Sequence, residues 1–286
     1  MSRLSVVVPI GPNCKIDFVE DTLASVNHFC PDARVILLDD SGRGTGETLA
    51  TRHGHESVEM SSNGLAGGLF ATLSVGFKIA LEEPFDVLLR LDTDALVIGS
   101  SFVDAAAALF SAEPSVAALG SHRVAYSGAR RSFRQTKLKL LREASLGSLR
   151  ERELARMLRH LIRRARKNGY ELGESVMGGV TIYSRAGLES LHSAGLLEPT
   201  VMSRSTLQED HLFALCLFAE GYRLKDFGTS ADDLPMGVKH RGLPASPHEL
   251  ANRGKCLVHS TKFYGDMDEG AIRGEFAALR QGSRAQ

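Results

Sequence analysis

The chain has 286 residues, with 34 basic and 34 acidic side chains and therefore no formal net charge at pH 7. That balance excludes a globally basic nucleic-acid coat and a charge-extended acidic tail. Apolar residues at 43% and charged residues at 24% match an ordinary soluble globule, long enough for one large α/β domain or two small ones.

Leu4–Ile10 (LSVVVPI) is rich in β-branched residues and predicts a buried strand. It ends at Gly11-Pro12, too early for a signal-peptide core, and no window approaches a membrane-spanning apolar run. Apolar spacing predicts a helix over Asp17–Phe29, a strand over Arg34–Leu38 ending at Asp39-Asp40, a short helix over Thr45–His53 and a weak strand over Ser57–Met60. A strong helix follows over Leu69–Glu82. Asp86–Leu91 (DVLLRL) is the next strand, ending at Asp92-Thr93-Asp94. Near-continuous apolar strands separated by helices indicate a mostly parallel sheet covered on both faces, with ligands expected outside the carboxyl ends of the strands.

A helix over Ser101–Ser111 and a strand over Val116–Leu119 come next. From Arg130 to Lys167 there are fourteen basic and three acidic residues with interleaved leucines, Leu146 and Leu149 among them, which predicts one or two amphipathic helices. The pattern then gives a strand at Gly178–Tyr183, a helix from Arg185 and a helix over Glu209–Glu220. Asp232–Lys255, with three prolines, reads as loop, and a last helix covers Glu269–Arg280. The four cysteines, Cys14, Cys30, Cys216 and Cys256, have no CxxC spacing and read as reduced thiols of a cytoplasmic protein.

Asp92-Thr93-Asp94 is the sharpest local feature. Carboxylates two apart at a strand end can face one side and form a hard-oxygen half-site for Mg²⁺ or Mn²⁺, although a bare D-x-D is also a common solvated loop. Glu209-Asp210 opens a helix, where acids ordinarily complement the dipole and where a cleft-facing carboxylate can instead serve as a general base. His259 and His240 are competing imidazole ligands, and Lys262 could neutralise a diphosphate. Each histidine alone reads more simply as a hydrogen-bonded or surface residue. Asn63-Gly64-Leu65-Ala66-Gly67-Gly68 permits close backbone approach to a ligand before a helix. It is not a Walker A loop, and no GxGxxG follows the first strand.

In order, VVVPI, LLDDSG, NGLAGG before a helix, LLRLDTDA, GGVTIYSR, QEDHLFALCLFAEGYRL and a late histidine resemble the GT-A nucleotide-sugar glycosyltransferases, closest to the family 2 type. The resemblance runs from Leu4 to Lys262, less the basic stretch. It implies one GT-A (Rossmann-like) α/β domain over residues 1–286, with a nucleotide-sugar-binding half at 1–100, an acceptor and catalytic half at 101–286, and a basic helical insertion at 130–168. Asp39 or Asp40, near Pro9 and Ile10, would contact the nucleoside, with Gly64 also on the donor side. Asp92 and Asp94 would hold ribose and metal, with His259 as late metal ligand (His240 as its competitor) and Lys262 on the diphosphate. Gly178 and Gly179 would line the acceptor side, and Asp210, beside Glu209, would be the base of an inverting transfer. Family members often carry an Arg-Asn pair in the helix after the Gly-rich stretch, where this chain has Gly68-Leu69-Phe70-Ala71-Thr72.

The implied partners are a nucleoside-diphosphate-sugar donor and a glycan, lipid-linked or small-molecule acceptor, in bacterial-type polysaccharide or glycolipid synthesis. The basic stretch reads either as a solvated helix face or as a platform for an anionic membrane or a phosphate-bearing acceptor. Without interleaved aromatics it is a poor nucleic-acid surface. A sugar-1-phosphate nucleotidyltransferase would want a Gly-rich Arg/Lys signature after the first strand, where Gly11-Pro12-Asn13-Cys14-Lys15 stands. A non-catalytic nucleotide-sugar or glycan-binding protein is the other alternative.

Overall fold

The first strand, β1 (Leu4–Ile10), is buried along its length and sits at the centre of the molecule. The computed structural model describes residues 3–61, 64, 66–145, 151–198, 201–230 and 233–282. Asn63, Leu65, Leu146, Leu149 and Asp232 of the motifs above lie outside the described residues. The elements in chain order are β1, α1 (Ile16–Phe29), β2 (Arg34–Asp39), α2 (Thr45–His53), β3 (Glu56–Glu59), α3 (Gly67–Leu81), β4 (Val87–Leu91), β5 (Ala95–Val97), α4 (Phe102–Ala112) and β6 (Val116–Gly120). They continue with α5 (Arg134–Ser145), α6 (Arg152–Lys167), β7 (Val180–Ser184), α7 (Arg185–Ser193), α8 (Glu209–Ala219), β8 (Arg223–Asp226), β9 (Met236–Val238), α9 (Pro247–Asn252), β10 (Leu257–His259), β11 (Phe263–Tyr264), β12 (Met267–Asp268) and α10 (Glu269–Gly282).

The main sheet has seven strands in the order β3-β2-β1-β4-β7-β6-β8. β1, β2, β3 and β4 run parallel, as do β6 and β8, while β7 is antiparallel to both β4 and β6. This is the mostly parallel, helix-flanked α/β architecture expected from the sequence. Strand alternation assigns the two faces. Val7 and Leu88 face a core shared with α3, α7 and α8, whereas Val6, Val8, Val87 and Leu89 face a second core with α1 and α4. Arg90, two residues after Leu88, falls on the α8 side.

Two registers bring distant segments to the carboxyl end of β4. β7 pairs Val180 with Leu91, so the Gly178–Gly179 turn lies beside Asp92, whose N–H donates to the Gly179 carbonyl at 2.8 Å. A second, three-stranded sheet has the order β5-β10-β9, and its antiparallel register sets His259 opposite Ala95, the residue after Asp94. β9 and α9 correct the expectation of loop over 232–255. β9 is only three residues long, too short for periodicity to register. α9 has Pro247 in its first turn and a Ser246 side-chain cap on Glu249 N, so that proline starts a helix rather than breaking one.

The basic stretch forms two helices, α5 and α6, joined through residues outside the description. Leu154, Leu158 and Leu161 of α6 are buried in the core that includes α8, and Leu140 of α5 joins them. The apolar stripe of α6 is therefore consumed by packing, which removes it as a surface for lipid insertion. Among the described residues, no helix is long and apolar enough to cross a membrane.

Close packing of α7 on the sheet depends on Gly187: a Cβ there would stand 2.4 Å from the Ala117 Cβ on β6. Gly187→Ala should therefore destabilise the protein by ~1–3 kcal/mol through overpacking, although alanine is worth about 1 kcal/mol more than glycine in a helix interior. Urea unfolding checks this, and an unchanged or raised midpoint would contradict the packing argument.

Candidate active site

The Asp92-Thr93-Asp94 turn is held from both ends of the chain. The Thr22 hydroxyl of α1 reaches the Thr93 carbonyl at 3.1 Å and the Ala95 carbonyl at 3.0 Å. Arg273 of α10, itself buried, donates to the Thr93 carbonyl at 2.6 Å and is balanced by Asp21 at 2.9 Å and Glu269 at 3.0 Å. Thr261 adds its N–H and hydroxyl to the Asp94 carbonyl at 2.9 and 3.0 Å.

Fixed in this way, Asp92, Asp94 and His259 each present one ligand atom, all within 4.8 Å of one another. His259 Nε2 lies 3.4 Å from Asp94 Oδ1, while its Nδ1 is 3.1 Å from the Lys239 carbonyl. A carbonyl can only accept, so Nδ1 carries a proton and Nε2 is the nitrogen turned toward the carboxylates. Lys262 Nζ is 3.1 Å from Asp94 Oδ2. Burial alone would raise the Asp94 carboxyl, but the His259 hydrogen bond and the charges of His259 and Lys262 outweigh it and hold Asp94 well below the usual carboxylate range. The buried Asp92 Oδ1 lies 2.8 Å from Arg90 Nη2 yet receives no hydrogen bond of proper geometry. Two carboxylates and an imidazole, one with an unsatisfied buried oxygen, fit a divalent cation. His240 is exposed and stands outside this group, so His259 is the histidine that the fold delivers.

The cluster borders a cavity of about 460 Å³, within the range typical of small-molecule sites. Its walls include Pro9, Ile10, Asp40, Gly64, Asp92, Asp94 and Lys262 of the expected donor residues. Asp39 does other work: its carboxylate accepts the Ser41 N–H at 2.9 Å and the Gly46 N–H at 2.7 Å, closing the loop after β2. Sequence reasoning did not single out Lys15, Phe18 or Thr72, which also line the cavity. Thr72 stands on α3, and its buried hydroxyl has no partner among the described residues.

Arg90 was also missed. Its guanidinium is 2% exposed, and a single nitrogen, Nη2, sits 2.8 Å from Asp92 Oδ1 and 2.9 Å from Glu209 Oε1. The available signal was a lone cation inside an apolar strand, which burial makes tenable only with carboxylate partners. Glu209 is pushed up to about 7 by burial, with the nearby charges of Asp210 and Asp92 adding to this against the pull of Arg90. Asp210 is less enclosed. Its Oδ2 accepts from the Ser175 hydroxyl at 3.3 Å, and its Oδ1 accepts from the His211 N–H at 2.9 Å.

Gly178 and Gly179 touch both groups. A Cβ at Gly178 would lie 3.3 Å from Arg90 Nη1 and Glu209 Oε1 and 3.9 Å from Asp210 Cβ. At Gly179, φ is +93° and a Cβ would meet His259 Nε2 at 2.3 Å. Glycine is thus required there both by its left-handed backbone and by the imidazole packed on it.

No protein-family model and no curated protein matches the chain. Among solved structures, it is similar to a mannosyltransferase from Pyrobaculum calidifontis in complex with GDP-Man and Mn²⁺, at 16% identity and a TM-score of 0.45, covering 80% of this chain and 56% of that one. It is similar to glucosyl-3-phosphoglycerate synthase from Mycobacterium tuberculosis, in complex with Mn²⁺, UDP and glucosyl-3-phosphoglycerate, at 14% identity and a TM-score of 0.41, covering 98% and 80% of the two chains. A cytidylyltransferase from Leptospira borgpetersenii matches at 11% identity and a TM-score of 0.39, covering 99% and 94%.

Gly179→Ala should drive the His259 ring away from the carboxylates and weaken Mn²⁺ binding by roughly tenfold or more, as expected for displacing a ligand's support. Electron paramagnetic resonance of free Mn²⁺ during titration reads this, with His259→Ala as reference. Unchanged affinity in both variants would remove the cluster as a metal site.

Proposed function

We propose that the chain is a divalent-metal-dependent glycosyltransferase that moves a sugar from a nucleoside diphosphate to an acceptor hydroxyl with inversion of configuration. The observation that carries this reading is the convergence, on the wall of one cavity, of Asp92 and Asp94, backed by His259, with Lys262, Asp40, Pro9 and Ile10. Pro9 and Ile10 offer a wall for the nucleoside, and Asp40 offers acceptor oxygens for a base or ribose. Lys262, a largely exposed cation on the cavity wall beside Asp94, suits the diphosphate.

Asp92, Asp94 and His259 would hold the cation. When bound, it neutralises the charge that develops on the nucleoside diphosphate as the glycosidic bond to it breaks. The imidazole in the set favours Mn²⁺ over Mg²⁺, which prefers an all-oxygen shell.

Asp210 is the base in this reading. It would take the proton of the acceptor hydroxyl as the oxygen attacks the anomeric carbon from the face opposite the leaving group, so the configuration inverts. Ser175 and the His211 N–H hold the carboxylate in place, and α8 presents it in its first turn. Glu209 is buried against Arg90 and acts as a fixed neighbour rather than as a proton acceptor.

Asp210→Asn should lower sugar transfer by about 10²–10⁴-fold while Mn²⁺-dependent nucleotide binding stays within a few-fold of wild type. A panel of UDP-, GDP- and dTDP-sugars, read first by thermal shift and then by donor hydrolysis with Mn²⁺, supplies the assay. Near-full activity of Asp210→Asn would sink the base assignment. Nucleotide binding without any turnover of a donor would favour a non-catalytic binding protein.

A further inference from the structure

A second cavity, of about 630 Å³, lies where the segment before α5 and the first turn of α5 meet the end of α6 and the loop at 170–172. Its wall carries Arg130, Arg131, Arg134, Lys137 and Arg166 against a single acid, Glu171. Among the described residues, Arg130, Arg134, Lys137 and Arg166 have no carboxylate at ion-pair distance. Neighbouring cations of the same segment behave differently: Arg164 pairs with Glu220 at 2.7 Å, and Arg131 is half-buried with carbonyl partners. Glu171 itself is drawn toward Arg123 at 3.9 Å. Four exposed cations around one concavity, without a carboxylate partner among the described residues and in a chain with an acidic excess elsewhere, create a focused positive potential.

The wall is built rather than loose. Arg131 Nη1 donates to the His122 and Ser175 carbonyls, each at 2.8 Å, and to the Ser121 carbonyl, and its guanidinium lies over the Phe133 ring. Gly173 is pressed so closely on α5 that a Cβ would stand 2.6 Å from Lys137 N. Ser175, whose carbonyl anchors Arg131, donates its hydroxyl to Asp210. The cavity wall and the proposed base therefore share one anchoring residue.

We propose that this cavity binds a phosphate-type anion carried by the acceptor, leaving an acceptor hydroxyl directed toward Asp210. The anion-binding part stands on the cavity alone; the word acceptor rests on the glycosyltransferase reading. Two sources could present the same chemistry, a soluble phosphate ester or an anionic lipid headgroup. The soluble ester fits better, because the apolar stripe of α6 is packed inward and, among the described residues of this hairpin, Leu138 and Leu141 of α5 are the only large exposed apolar ones.

The test uses the whole chain, without Mn²⁺ or nucleotide sugar. Glycerol 1-phosphate is titrated by calorimetry, and phosphatidylglycerol–phosphatidylcholine vesicles are tested by co-sedimentation. We expect glycerol 1-phosphate to bind, and the double variant Arg134→Ala/Lys137→Ala to weaken that binding by about tenfold or more, since each side chain removed supplies a charge-assisted contact. Arg163→Ala, an exposed cation of α6 outside the cavity wall, should bind as wild type does. Vesicle binding with the same loss in the double variant, and no glycerol phosphate binding, would assign the anion to a headgroup. Binding of neither probe, or binding that survives Arg134→Ala/Lys137→Ala, overturns the proposal. Donor hydrolysis with Mn²⁺ is measured in parallel on wild type: its absence counts against the glycosyltransferase reading and leaves the anion titration standing.

Discussion

The Arg90 guanidinium, buried on a central strand, is the constraint around which the site is arranged. A charge removed from water at that depth costs several kcal/mol unless carboxylates surround it. Asp92 supplies one from the same strand, because residues two apart share a face. Glu209 supplies the other from the first turn of α8. One guanidinium nitrogen thus ties the carboxyl end of β4, where the metal would sit, to the helix end that carries Asp210. In the proposed reading, this ion pair would hold donor and acceptor chemistry in register without touching either substrate. Replacing Arg90 by an apolar residue would strand the buried Glu209 and the half-buried Asp92, so the pair is better understood as positioning the site than as surplus stability.

The rest of the site is fixed by backbone rather than by side-chain reach. The main chain of the turn at 92–94 is held from outside it: Thr22, Thr261 and Arg273 grip its carbonyls from α1, the segment after β10 and α10. The last helix is therefore part of the active-site frame although none of its residues is proposed to react. Gly179 completes the frame by letting the imidazole lie directly against the backbone.

Much of this was legible in the sequence because it is local. Long apolar strands and amphipathic helices declare themselves through periodicity, and Asp92-Thr93-Asp94 follows a strand that announces its own end. What was not legible depends on pairing across distance. The antiparallel setting of β7 brings Gly178 and Gly179 to β4, and no pattern within GGVTIY states that direction. The choice of His259 over His240 follows from the register of β10 on β5, one residue after Asp94. β9 was invisible because three residues carry no period. Asp39 and Asp40 read alike in sequence, yet alternation at the strand end sends one carboxylate to two backbone N–H groups and leaves the other on the cavity wall. Arg90 left a trace, a single cation in VLLRL, whose meaning required knowing that α8 would lay an acid over it.

The zero net charge conceals two opposite ways of meeting an anion. In the proposed reading, the cavity beside Asp92 and Asp94 also presents Asp40 and Glu269, so a diphosphate would enter with a divalent cation, assisted by Lys262. The cavity beside α5 and α6 is lined by guanidinium and ammonium groups, so an anion can enter directly. Such a division has a physical advantage. Two basic pockets side by side would compete for the same phosphates, and two acidic ones would need two metals. With one of each, a chelator acts on the first and salt acts chiefly on the second. The acidic body and basic hairpin that cancel in the whole-chain sum are thus matched to two different charged groups, and the cancellation is a consequence of placing them on one chain.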